Sequence, residues 1–105
     1  MTDASFTRYD RLPADRNPHD FPHWAPDLTV EVFSPFERMA TVIGRVAMFL
    51  QAGTRQVWLV NPTSQIVTIF YPEAPLTSLG ADDTLDGGDV LPGFSIPVAE
   101  IFVED

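Results

Sequence analysis

The chain contains no cysteine and no lysine. Without thiols there are no disulfides to staple a small secreted fold and no thiolate metal sites, which fits a cytoplasmic protein. All six basic residues are Arg, set against 15 Asp and Glu, for a net charge of −9. That excess repels phosphate backbones over long range and offers no clustered cations for counterion release. Composition therefore argues against strong general nucleic-acid binding, and any nucleic-acid chemistry has to rely on metal ions. The missing lysine also removes a common catalytic and phosphate-contacting residue type. No apolar run reaches the roughly 18 residues that a membrane span needs. The opening MTDASFTRYD lacks the basic-then-apolar pattern of a secretory signal. What is present, 45% hydrophobic residues in short regular runs over 105 positions, predicts one small globular domain, 1–105.

The chain is organised around PDLTVEVFSP, residues 26–35. Its β-formers predict a strand closed at Ser34-Pro35, where proline removes a ladder donor. Alternation puts Asp27, Thr29, Glu31 and Phe33 on one face and Leu28, Val30 and Val32 on the other. A carboxylate in the middle of such a strand is costly to bury alone. Glu31 therefore needs a cation, a set of donors or a metal.

Ahead of it, residues 3–9 alternate as a first strand, and residues 10–25 hold three prolines and both histidines in a long loop. His19 and His23 are four apart, but Pro18 and Pro22 oppose the helix that would let them share a metal, so they read as ordinary loop histidines. After it, Met39, Val42, Ile43, Val46, Phe49 and Leu50 recur at i, i+3, i+4, i+7, i+10 and i+11. That is one apolar face of a helix over 36–52. Ser34 as cap, Pro35 at N1 and Glu37 at N3 make a capping box, and Gly53 supplies the left-handed stop. Gly44, inside the helix, suggests close packing. Arg38 and Arg45 flank the apolar stripe and can reach the same strand edge.

QVWLVN, 56–61, is apolar on both faces and predicts a buried central strand. Asn61 to Ser64 turns the chain, and 65–71 returns as the second arm of a hairpin. Short strands are expected over 76–79 and 84–85, a turn-rich stretch over 86–94, and a terminal helix over 97–102. Trp24 and Trp58 read as loop and core packing. Asp82, Asp83, Asp86 and Asp89 lack the order of a calcium loop and read as a solvated acidic turn.

Asp3, Asp27 and Glu31 are the candidate acidic cluster. Carboxylates on neighbouring strands can hold Mg²⁺, and a cationic side chain such as Arg45 can stabilise developing charge beside it. The competing reading makes Asp27 a turn cap and pairs Glu31 with Arg38 or Arg45 as a buried ion pair.

The order PDLTVEVFSP, amphipathic helix ending in FLQAG, TRQVWLVNP and IVTIFYP, then GGDVLPGFSIPVAEIF, closely resembles the Uma-two family of the PD-(D/E)XK nuclease superfamily. The similarity runs over residues 3–102. It implies an α/β fold, a mixed β-sheet with one main amphipathic helix around a restriction endonuclease-like core. It also implies a Mg²⁺- or Mn²⁺-dependent DNA endonuclease, or a degenerate, catalytically inactive form acting as a structural or protein-interaction module. Position by position, Asp3, Asp27 and Glu31 fall on the family's metal-binding acids. Glu31, Arg45 and Asp27 fall on its catalytic positions, with Arg45 where the family carries Lys. Gln56 and Asn61 stand where it often has Glu and Asp, and Thr2 replaces a usual Pro. Arginine keeps the charge but cannot serve as a base. Family members usually carry a further segment ahead of the first strand, so the chain resembles a partial domain with an open sheet edge. Pairing into a homodimer is one way to cover such an edge.

Overall fold

The computed structural model describes residues 4–6, as strand backbone, and residues 26–102. Two sheets and two helices follow one another as β1 (Ala4–Phe6), β2 (Leu28–Val32), α1 (Met39–Ala52), β3 (Gln56–Asn61), β4 (Ile66–Phe70), β5 (Thr77–Leu79), β6 (Thr84–Asp86), β7 (Ser95–Pro97) and α2 (Val98–Ile101). The larger sheet has the order β1-β2-β3-β4-β5, and β6 and β7 form a two-stranded sheet of their own. Only β2 and β3 are parallel, joined through α1 as a βαβ unit, and the other neighbours are antiparallel. The architecture is the mixed α/β arrangement that the sequence pattern implies.

Alternation along β2 decides what each face of the sheet does. Leu28 joins Trp58, Val67, Ile69, Leu85, Val90 and Val98 in the principal core. Thr29 and Glu31 are in register with Val57 and Leu59 of β3, on the opposite face. Asp27, Thr29 and Glu31 are all fully buried. A one-residue slip of β2 would drive these polar groups into the core and turn Leu28 out, so the register is firmly specified. Val42 and Val46 of α1 are also fully or nearly fully buried, each contributing about 1.5 kcal/mol of apolar burial.

The C-terminus of α1 ends as its glycine predicts. Gly53 adopts φ 113°, its N–H donates to the Leu50 carbonyl, and the Thr54 N–H donates to the Phe49 carbonyl. The N-terminus differs from expectation. The helix starts at Met39, after Arg38 in an extended conformation with ψ 136° and no side-chain cap. Ser34 and Glu37 do exchange bonds, but they close a separate turn. The Ser34 N–H donates to Glu37 Oε2 at 3.2 Å, the Phe36 N–H donates to Ser34 Oγ at 3.2 Å, and the Glu37 N–H donates to the Ser34 carbonyl at 3.0 Å.

The apolar stripe of α1 is also only half used. Met39 and Ile43 lie at 45% and 40% exposure, because the helix is apolar nearly all round and only one side faces the sheet. Gly44 is not explained by close packing: a Cβ there would meet nothing within 4 Å.

β3 is the buried central strand, and β3–β4 is the expected hairpin. Asn61 Oδ1 accepts from the Thr63 and Ser64 N–H groups and so builds the turn. Gln56 Oε1 accepts from Trp58 Nε1 at 2.9 Å. In the acidic stretch, Asp83 accepts from the Gly80 N–H and Asp86 from the Gly88 N–H, as turn residues do. The helix expected over 97–102 is the shorter α2, preceded by β7.

Candidate active site

Glu31 occupies the fourth position of β2, under α1. Its carboxylate is fully buried, and Oε1 accepts from Arg45 Nε at 2.7 Å. Arg45 lies midway along α1, with its side chain 21% exposed. The helix carries its guanidinium inward to the buried carboxylate. This is the neutralising cation that a buried carboxylate requires, in the short range of charge-assisted hydrogen bonds. Of the two arginines the sequence offers, only Arg45 takes this place. Arg38 makes no side-chain hydrogen bond or ion pair with the described residues.

A second carboxylate, absent from the sequence-predicted site, completes the arrangement. Glu37 Oε1 accepts from Arg45 Nη2 at 2.8 Å, while Glu37 Oε2 takes the Ser34 N–H. Arg45 thus bridges a buried acid on β2 and a half-exposed acid on the 34–37 turn. The Ser34 N–H, and after it the Arg45 guanidinium, hold the Glu37 carboxyl below the usual carboxylate range. Glu31 first, and then Glu37, raise the Arg45 pKa further above its already high value, so this group remains a cation.

Glu31 Oε2 is the chemically open atom. It is buried and has no hydrogen-bond partner among the described residues. Buried acceptors are normally satisfied, and a carboxylate oxygen beside a filled one is a ready ligand for a hard cation. Thr29 Oγ1, two residues earlier on the same face, is buried and likewise unpartnered among the described residues.

Asp27 is fully buried at the bend immediately before β2, four residues ahead of Glu31. Its carbonyl accepts from the Arg55 and Gln56 N–H groups and ties the foot of β2 to β3. Asp3, His19, His23 and Trp24 lie outside the described residues. Among the described residues no group of three or more His, Asp or Glu could together hold a metal ion.

An open cavity of about 480 Å³ is lined by Val30, Val32, Val60, Pro62, Ile101 and Phe102, with Gln65 as its one polar side chain. Val30 and Val32 alternate with Glu31 along β2, so this cavity belongs to the other face of the sheet. Its lining holds no ionisable group among the described residues. No helix among the described residues is long and apolar enough to cross a membrane.

No curated protein matches the sequence. Among solved structures, the fold matches one described as a "putative nuclease belonging to DUF820" from Anabaena variabilis, with a TM-score of 0.70 and 24% identity. The match covers 75% of this chain and 45% of that one, so the chain spans less than half the length of the solved relative. At that identity the likeness establishes the fold. Residues 2–99 match the model of the family Uma2, described as "Putative restriction endonuclease", and the chain belongs to that family.

Proposed function

We propose that the chain carries the core of a metal-dependent DNA endonuclease of the PD-(D/E)XK type, with Glu31 as metal ligand and Arg45 as its electrostatic partner. The observation that carries this reading is the unpartnered Oε2 of a fully buried Glu31 whose other oxygen is held by a guanidinium. One free carboxylate oxygen in a buried site fits a divalent cation such as Mg²⁺ or Mn²⁺. By the family resemblance Asp3 is the second ligand, and its sequence neighbours Ala4, Ser5 and Phe6 pair with Val30, Thr29 and Leu28 of β2. Asp27, at the bend before β2 with its carbonyl tied to the Arg55 and Gln56 N–H groups, fits a structural role better.

When bound, the cation would polarise the phosphoryl group and lower the pKa of the attacking water. Arg45 fixes one oxygen of Glu31, so the other oxygen keeps its aim without side-chain searching. Its permanent charge stands ready beside negative charge developing on a phosphoryl oxygen. It cannot take a proton from water, so no general-base step is assigned to it.

The inactive reading, a nuclease-fold domain serving as a structural or interaction module, has one observation in its favour. Two groups of the Arg45 guanidinium are already engaged by carboxylates, leaving the arginine less charge to offer a substrate. Titration of Mn²⁺ by calorimetry on the wild type and on Glu31→Gln separates the two readings. Saturable binding that is lost in a folded Glu31→Gln supports the nuclease. No binding by a folded wild type would refute it and leave Glu31 and Arg45 as a structural ion pair.

A further inference from the structure

We propose that Glu37 is a positioning residue that aims Arg45. By holding Nη2 it fixes the plane of a guanidinium already held at Nε by Glu31, and it leaves Nη1 as the donor available to a phosphoryl oxygen. This role rests on the nuclease reading above. A guanidinium tied at one nitrogen can still tilt and exchange its two amino groups. Tied at Nε and Nη2 by carboxylates on separate segments, it keeps one plane and one unengaged amino group. Nη1 has no acceptor among the described residues.

An ordinary surface ion pair could not set such an aim, because two long side chains wander and solvent screens them. Glu37 is restrained at both of its oxygens. Oε2 is fixed by the Ser34 N–H and Oε1 by Arg45. The turn beneath it is closed by the Glu37 N–H on the Ser34 carbonyl and stiffened by Pro35. The late start of α1 is part of the same device. Were 36–38 helical, Glu37 could still take the Ser34 N–H as in a capping box, but Arg45, eight residues on, would lie about 12 Å further along the helix. The extended Arg38 separates the turn from the helix and lets one carboxylate reach both Ser34 and Arg45.

The test is side-chain nitrogen NMR of Arg45 in the full chain, for the wild type, Glu37→Gln and Glu37→Asp, with inorganic phosphate in Mg²⁺ buffer as the probe. In the wild type the two Nη groups should give separate, slowly exchanging signals, and phosphate should shift one of them. In Glu37→Gln the Nη signals should merge while the Nε signal held by Glu31 persists, and the phosphate affinity read at Arg45 should fall by about tenfold or more. Glu37→Asp should recover part of both effects. Slow, separate Nη signals in Glu37→Gln, or an unchanged phosphate response, would overturn the proposal. A wild type with the clamp signals but neither Mn²⁺ binding nor a phosphate response would overturn the nuclease reading instead, reducing Glu37 to a structural partner.

Discussion

Gly44→Ala should stabilise the protein, and the size of the gain follows from the geometry. Gly44 sits in the interior of α1, five residues after its start, at an exposed position where a Cβ would meet no atom within 4 Å. No packing term opposes the added methyl, so what remains is the helix propensity difference, about 1 kcal/mol in favour of alanine. Much of that gain comes from restricting the unfolded chain. With a urea m-value of about 2 kcal/mol/M, the unfolding midpoint should rise by about 0.5 M. For a domain of this size the melting temperature should rise by roughly 4–8 °C. Equilibrium urea unfolding followed by helical circular dichroism measures the shift directly. Gly53→Ala, at φ 113°, is the internal control and should destabilise. A Gly44→Ala variant less stable than the wild type would refute the reasoning, because it would mean that the outer face of α1 is in contact with something that a methyl group displaces.

Gly87→Ala should behave in the opposite way. Its Cβ would collide with the Leu91 carbonyl and approach Leu91 Cβ to 2.8 Å, a backbone clash costing about 1–3 kcal/mol; an unchanged urea midpoint would contradict it. Arg45→Met should unfold at lower urea than Arg45→Lys, since lysine still supplies a cation to the buried Glu31 and methionine does not; equal midpoints would mean that the ion pair does not neutralise Glu31. For Glu37 the direction of its pKa sets the pH dependence. A carboxyl held below its unfolded value of about 4.3 adds stability that is present above that pH and lost as the pH falls through the lower folded value. The wild type should therefore be more stable than Glu37→Gln at neutral pH, with the gap closing in acid below about pH 4. A gap that stays constant down to pH 3 would show that the Ser34 and Arg45 contacts do not depend on the charge.

Much of the β2 region was legible because its signals are local and redundant. Strict alternation assigned Thr29 and Glu31 to one face and Leu28 to the other, and a glycine at 53 left the helix one place to stop. The Glu31–Arg45 contact was half legible. A buried strand carboxylate demands a cation, and the next helix offered only Arg38 and Arg45, but nothing in the spacing chose between them.

The helix start was misread because Ser-Pro-x-Glu chemistry can close a free turn as readily as it caps a helix. Arg38, in an extended conformation, decides which. The β6–β7 pair was only half visible because Ser95–Pro97 has one large apolar residue and its pairing partner is nine residues away. Glu37 had no signal as a site residue. Its contact with Arg45 needs a chain reversal outside the helix, and helical periodicity cannot express that.

The three charges at the site bear on how it could meet a nucleic acid. Glu31 and Glu37 against Arg45 sum to −1, and they sit in a chain of net charge −9. Two like charges even 4 Å apart repel by about 1 kcal/mol in bulk water and several times that near a protein surface. A phosphodiester approaching this centre is therefore opposed until the local charge becomes positive. Arginine at position 45 cannot make that change alone, because it is always protonated and already bridges two acids. Dropping the pH would neutralise Glu37 only after reaching the range where acidic proteins lose stability generally. On the nuclease reading a bound divalent ion is the addition that would reverse the sign at neutral pH, and Oε2 of Glu31, unpartnered among the described residues, is its proposed ligand. Occupancy of that oxygen is thus logically prior to any question of substrate. A chain that cannot fill it would keep the fold and the Glu31–Arg45 ion pair without the positive charge that the nuclease reading requires at this centre.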